Sequence, residues 1–200
     1  MIFPHDSTFA AAGTWDSTIL VWSLASGRVV RRWRAHDAAV LTLDFSRERR
    51  MLVSGSVGDE GRVKVWRSRR EDLLCSSDPL GSLLLDVAWS PDGKLLVASS
   101  FTGSLFLWNF DGERMSGQRL LGEHETSVSC VKFDPMRKDV VASGGWDGEV
   151  VLWNVEKGEE EGRFRGSSTG VSNIFFASSS LVLSVDEEFN VSEHTRAASK

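Results

Sequence analysis

The chain has 200 residues, 41% hydrophobic and 26% charged, with a net charge of −5, which is the balance of an ordinary globular protein and gives no sign of a disordered or fibrous one. No apolar run is long enough to cross a bilayer as a helix, and the absence of tyrosine removes phenol chemistry. Two cysteines, Cys75 and Cys130, stand far apart with no Cys-x-x-Cys and no neighbouring histidine, which argues against a disulfide framework or a zinc site and makes both reduced thiols of the packing.

The start, Met1-Ile2-Phe3-Pro4-His5-Asp6, has neither a basic segment nor an apolar stretch of signal-peptide length, so the expected location is cytoplasmic or nuclear. The sequon Asn190-Val191-Ser192 then has no glycosylation to serve. Ile2-Phe3 reads as the end of a strand, and Thr18 to Trp22 is a strand that closes on tryptophan, followed by a more polar strand, Arg28 to Trp33. A full four-strand unit comes next: Val40 to Phe45, Met51 to Ser54, Arg62 to Trp66 and Leu73 to Ser76. The third repeats it with Leu84 to Trp89, the turn Ser90-Pro91-Asp92-Gly93, then Leu95 to Ser99, Ser104 to Trp108 and Arg114 to Leu120. The fourth runs Val128 to Phe133, the turn Asp134-Pro135-Met136, Val140 to Ser143, Glu149 to Trp153 and Glu160 to Arg165. The last has Val171 to Phe176, Leu181 to Ser184 and a third strand near Val191 to Glu193.

The four strand-ending tryptophans are separated by 44, 42 and 45 residues, the period of a four-stranded propeller blade. Third strands such as Val150-Val151-Leu152-Trp153 are apolar on both faces, as sheets covered on both sides require, while the fourth strands are charged or alternating and suit a wet outer edge. The expected architecture is a single all-β propeller domain over 1–200, with units of about 1–35, 36–78, 79–122, 123–165 and 166–200.

Over nearly its whole length this pattern resembles the WD40 repeats. The resemblance implies a hydrogen-bonded tetrad in each unit: a histidine in the loop leading into the blade, a Ser or Thr on the second strand, an Asp in the following turn, and the third-strand Trp. The fourth unit matches throughout with His124, Ser143, Asp147 and Trp153. The second has His36, Ser54 and Trp66 with either Asp59 or Glu60. The third keeps Ser99 and Trp108 but has Leu80 and Thr102 at the other positions. The first keeps Asp16 and Trp22 with Ala12 for the serine, and the last keeps Ser184 and Asp186 with Ser167 for His and Ser192 for Trp. The Trp-Asp dipeptides themselves, Trp15-Asp16 and Trp146-Asp147, lie in turns rather than at the end of the third strand. A buried indole N–H needs an acceptor, a hydroxyl can accept and pass a proton on, and a His held by an Asp ends the chain with no orphan group, so these histidines are structural rather than catalytic or metal-binding.

Other chemistry fails on context. Gly166-Ser167-Ser168-Thr169-Gly170 matches the G-x-S-x-G string, but it leads into a strand where a nucleophile elbow needs a helix. Gly93-Lys94 lacks the earlier glycine of a phosphate loop. No catalytic residue, cofactor or metal is expected.

Two surfaces remain. The resemblance places the loops leading into each blade and the turns after the second strands on one face, where Trp15, Phe101 and Trp146 are candidate anchors for a protein or peptide. On the opposite face Arg47, Arg49 and Arg50 lie in the first turn of the second unit and Arg67, Arg69 and Arg70 in its third. Residues 1 to 70 carry 12 basic and 7 acidic side chains, against 11 and 21 in residues 71 to 200, an asymmetry that suits an acidic partner. The expected function is a non-enzymatic scaffold for protein partners in a multiprotein complex, with no membrane contact. Binding of RNA or another polyanion through the arginines is the alternative, and a substrate-receptor role in a ubiquitin ligase is a third. Some family members serve Cullin ligases through a Trp-Asp-x-Arg pattern, where Trp66-Arg67-Ser68-Arg69 has Arg for Asp. Seven blades at this period need about 300 residues. The chain is therefore expected to form an open arc of four to five blades belonging to a longer propeller, with apolar faces bare at its two ends.

Overall fold

The computed structural model describes residues 8–58, 61–68, 72–178 and 180–195. All eighteen regular elements among the described residues are strands, each paired antiparallel with a chain neighbour in its sheet, because runs of alternating or wholly apolar β-formers are broken at short intervals by turn residues. The first sheet holds β1 (Phe9–Gly13), β2 (Thr18–Ser23) and β3 (Val29–Arg34). The second holds β4 (Val40–Ser46), β5 (Met51–Ser56), β6 (Val63–Arg67) and β7 (Asp72–Ser76). The third is β8 (Leu84–Trp89), β9 (Leu95–Ser100), β10 (Ser104–Phe110) and β11 (Met115–Glu123). The fourth is β12 (Val128–Phe133), β13 (Val140–Gly145), β14 (Glu149–Asn154) and β15 (Glu159–Arg165). The fifth is β16 (Val171–Phe176), β17 (Leu181–Asp186) and β18 (Val191–Thr195). Ile2-Phe3, read above as a strand end, lies outside the described residues.

The sheets stack in chain order through their inner strands, β1 on β4, β4 on β8, β8 on β12 and β12 on β16, and they do not close into a ring. Each contact between sheets is a separate apolar core. Leu105 and Leu107 of the third sheet meet Val128, Val131 and Trp153 of the fourth, and the other side of the fourth, with Ala142, Val150 and Leu152, meets Val171, Ile174 and Val182 of the fifth. A sheet lined on both sides this way needs apolar residues on both alternating faces, which is why β14 reads Val-Val-Leu-Trp.

The inner strands β4, β8, β12 and β16 all slip register by one residue near their starts, between Val40 and Thr42, Leu84 and Asp86, Val128 and Cys130, and Val171 and Asn173. These bulges leave backbone groups unpaired and twist the strand. Each inner strand is also the edge of its sheet, so every second amide points away from the ladder, and carboxylates from the preceding sheet take two of these. Asp44 accepts from the Trp89 amide at 2.7 Å, and Asp86 accepts from the Val131 amide at 3.1 Å and from Lys132 Nζ at 3.2 Å. Burial pushes the Asp44 carboxyl up, whereas the carboxylates of Asp86 and Asp44 raise the Lys132 ammonium against the burial that opposes it.

Both cysteines are free thiols. Cys130 is buried between the fourth and fifth sheets, and that burial pushes its thiol up to about 12.

Candidate functional site

The loops leading into each sheet and the turns after each second strand are stitched together at one end of the arc by backbone hydrogen bonds. Ala35 donates to Ser17, Leu80 to Gly61, His124 to Gly103, Gly166 to Gly148 and Glu187 to Gly170. In the turn between β1 and β2, and in the turn after the second strand of each later sheet, a described residue lies in the left-handed region: Ser17, Gly61, Gly103, Gly148 and Phe189, with φ between 48° and 93°. The opposite end collects the remaining turns, where Phe110 donates to Lys94 and Val155 to Asp139.

In the fourth sheet the four expected groups form one chain. Trp153 Nε1 donates to Ser143 Oγ at 2.7 Å, Ser143 lies 2.8 Å from His124 Nε2, and His124 Nδ1 is 3.0 Å from Asp147 Oδ2. Since the serine accepts from the indole, its own proton goes to Nε2, and the ring proton then sits on Nδ1 facing the carboxylate. That neutral ring agrees with burial pushing the His124 pKa down, an effect Asp147 only partly offsets. Gly145 makes room for the chain: a Cβ there would stand 2.6 Å from His124 Nδ1. The second sheet repeats the first two links, with Trp66 Nε1 to Ser54 Oγ at 2.8 Å and Ser54 Oγ to His36 Nε2 at 2.7 Å. Burial, helped by the Lys64 ammonium, pushes His36 down to about 3. The acid assigned there, Asp59 or Glu60, lies outside the described residues.

The other sheets depart from the sequence reading. In the third, Trp108 stands opposite Leu96, so the residue in the register of Ser143 is Ala98 and not Ser99. Ser99 points to the other face of the strand and reaches only the Asp86 carbonyl, at 3.5 Å, while Trp108 Nε1 donates instead to Gln118 Oε1 at 3.2 Å. In the fifth, Ser192 pairs with Ser184, and the residue in the tryptophan register is His194, opposite Val182. His194 Nε2 lies 2.8 Å from Ser184 Oγ, and its ring packs on Phe164 with centroids 5.3 Å apart. Asp186 falls two residues before the turn position of Asp147, where it accepts from Ser167 Oγ at 2.7 Å and from Asn190. Those hydrogen bonds hold its carboxyl down at about 2. In the first sheet Ala12 does stand in the serine register, and Asp16 turns outward to bond Thr18 and pair with Arg32.

Phe101 and Trp146 form an edge-to-face pair, with centroids 5.7 Å apart and an interplanar angle of 87°, although they belong to different sheets. Ser127 fixes the arrangement by donating its hydroxyl to the Phe101 carbonyl at 2.6 Å while its own carbonyl accepts from the Trp146 amide. They are 46% and 47% exposed, Trp15 stands at 82% on the first sheet outside this pair, and Phe189, which the sequence reading passed over, is 86% exposed on the fifth. At the opposite end Arg47, Arg50 and Arg67 are exposed, whereas Arg49 is partly covered and donates Nε–H to the Gly93 carbonyl of the next sheet at 3.2 Å. Arg69 and Arg70 lie outside the described residues.

Four stretches of the chain, residues 1–23, 27–67, 75–109 and 116–154, match the family model of the WD domain, G-beta repeat. The chain belongs to the WD40 repeat family. Among its relatives, "Periodic tryptophan protein 2" of Arabidopsis thaliana is 28% identical over 157 residues, which is 76% of this chain and 17% of that protein. "E3 ubiquitin-protein ligase COP1" of the same plant is 26% identical over 188 residues, 93% of this chain and 27% of the ligase. The chain thus spans about a quarter or less of the length of these two relatives. A chain of the solved structure "Crystal Structure of Mitotic Checkpoint Complex" superposes with a TM-score of 0.85 over 98% of this chain and 62% of its own length, at 19% identity, which shows the shared WD40 propeller fold. The second strand, turn and third strand of the fifth sheet lie beyond the matched stretches, where His194 replaces the tryptophan.

Proposed function

We propose that this WD40 chain is a non-enzymatic scaffold that holds protein partners within a multiprotein complex, through the face that carries Trp15, Phe101 and Trp146. The observation that carries the reading is the Phe101–Trp146 pair: two half-exposed rings from adjacent sheets, fixed edge to face over hydrogen-bonded loops. Aromatic side chains held in place before binding lose little entropy on contact and dominate interface hot spots. The test compares proteins captured from cells by the wild-type chain and by the Trp15→Ala/Phe101→Ala/Trp146→Ala variant, with circular dichroism as the fold control. A defined set of partners is expected to disappear with the variant; an unchanged set from a folded variant refutes the reading. A polyanion-binding reading is favoured by Arg47, Arg50 and Arg67, which are exposed at one end of a single sheet and make no ion pair among the described residues. It requires a log-linear fall of RNA affinity with salt and loss of binding when these arginines become glutamine.

A further inference from the structure

The face that carries the aromatic pair also carries a group of acidic side chains. The loops and turns that meet there from the third, fourth and fifth sheets contain Glu123, Glu125, Asp147, Glu149, Asp186, Glu187 and Glu188. Four of these carboxylates are occupied: Glu123 accepts from Ser104 Oγ, Asp147 faces His124, Glu149 pairs with Arg163, and Asp186 is held by Ser167 and Asn190. Glu125, Glu187 and Glu188 are different. Each is exposed, and none makes a side-chain hydrogen bond or ion pair among the described residues. Glu187 also lies beside the rings, since its Oε1 and the Trp146 Cδ1 are each 3.2 Å from the point where a Cβ on Gly170 would sit. Glu125 is two residues before Ser127, the side chain that ties Phe101 to the fourth sheet.

Resting on the scaffold reading above, we infer that this face takes an arginine-bearing segment of a protein partner, with the guanidinium on the Phe101–Trp146 rings and facing the carboxylates of Glu125, Glu187 and Glu188. The chemistry selects that side chain. Ring faces attract a cation within about 6 Å, and the edge-to-face geometry leaves ring surface open on a half-exposed pair. A planar guanidinium can stack on an indole and still present N–H donors sideways to a carboxylate, which a compact ammonium cannot do at once. An acidic segment or a nucleic acid would meet three uncompensated carboxylates here and be repelled.

The probe is a fluorescein-labelled Gly-Arg-Gly-Arg-Gly-Arg peptide, followed by anisotropy, with the citrulline version as an uncharged isostere and the lysine version as a cation that does not stack. The wild-type chain is expected to bind the arginine peptide more tightly than the lysine peptide, and the citrulline peptide not at all. Trp146→Ala and Glu125→Gln/Glu187→Gln/Glu188→Gln should each weaken the arginine peptide by about tenfold or more. The control Glu113→Gln/Glu156→Gln/Glu159→Gln removes the same charge at the opposite end and should leave binding unchanged. If that control weakens binding as much as the site variants, or Trp146→Ala binds normally, the attraction is to overall charge and the inference falls. If the aromatic triple variant loses its cellular partners while the arginine peptide fails to bind the wild type, the inference falls and the scaffold reading stands.

Discussion

Ser143→Ala tests whether the polar chain of the fourth sheet is a structural element. The serine is fully buried, and its oxygen is the acceptor for Trp153 Nε1 at 2.7 Å and the partner of His124 Nε2 at 2.8 Å. Removing it leaves two polar groups, both on buried residues, without a partner, at a cost of about 1–3 kcal/mol each, so the variant should lose about 2–5 kcal/mol. Ser99→Ala is the matched control: the side chain is equally buried and its residue stands one position beyond the serine register of the third sheet, yet its one contact is 3.5 Å long, so the loss should stay below about 1 kcal/mol. Urea denaturation followed by tryptophan fluorescence at neutral pH, at fixed protein concentration, measures both. A cycle with His124→Ala adds the decisive number, because two residues in one hydrogen-bonded chain should couple by about 0.5 kcal/mol or more. Equal losses from Ser143→Ala and Ser99→Ala, or strict additivity with His124→Ala, would refute the chain.

Acidification should destabilise the fold through its buried histidines. His36 is held at about 3 in the folded state against about 6.5 unfolded, so its contribution is intact above about pH 6.5 and is lost as pH falls from there toward 3; at pH 5 that one group should cost about 2 kcal/mol, and urea midpoints flat between pH 7 and 5 would contradict it. His124 and His194 shift in the same direction and steepen the slope. Gly145→Ala should destabilise by about 1–3 kcal/mol, because its methyl would press on the His124 ring nitrogen and on Asp147, and an NMR histidine titration should show His124 released toward its ordinary value. In the fifth sheet His194→Ala should cost about 1–3 kcal/mol and more than Ser192→Ala, an order that reverses if Ser192 occupies the tryptophan place.

The architecture was legible because the third strands are marked. A strand-ending tryptophan at a period of 42 to 45 residues locates every neighbouring strand by counting, and the second and fourth sheets carry the full spacing from His to Trp. Where the mark was weak, parity was lost. β9 offers Ser99 and Ser100 after Ala98, and composition alone does not say which of three adjacent residues shares a face with Trp108; the pairing of Leu96 with Trp108 does. In the fifth sheet no tryptophan anchors the count, so Ser192 was aligned two residues short of His194, the residue that reaches Ser184. The inner-strand acids Asp44 and Asp86 were missed for another reason: their value lies in outward-facing amides on the edge strand of the next sheet, and hydrophobic periodicity does not show which strand is an edge or which acid of a neighbouring sheet reaches it. The Phe101–Trp146 contact likewise joins residues 45 positions apart, each of which reads alone as an exposed turn aromatic.

The polar chain in the fourth sheet begins and ends within that sheet and its own leading loop, so its loss is a private event. A sheet can trade the tryptophan for His194, or turn the indole toward Gln118, and still present the same apolar faces to its neighbours. Each sheet is therefore free to drift at its own pace while the stack persists. Counting sheets in such a chain by its signature residues will undercount them, as the matched stretches here stop at residue 154 while a whole three-stranded sheet follows from residue 171. Strand register against the neighbouring strand is the more durable ruler, because a one-residue slip would turn a whole apolar face into water, whereas a changed side chain turns only itself.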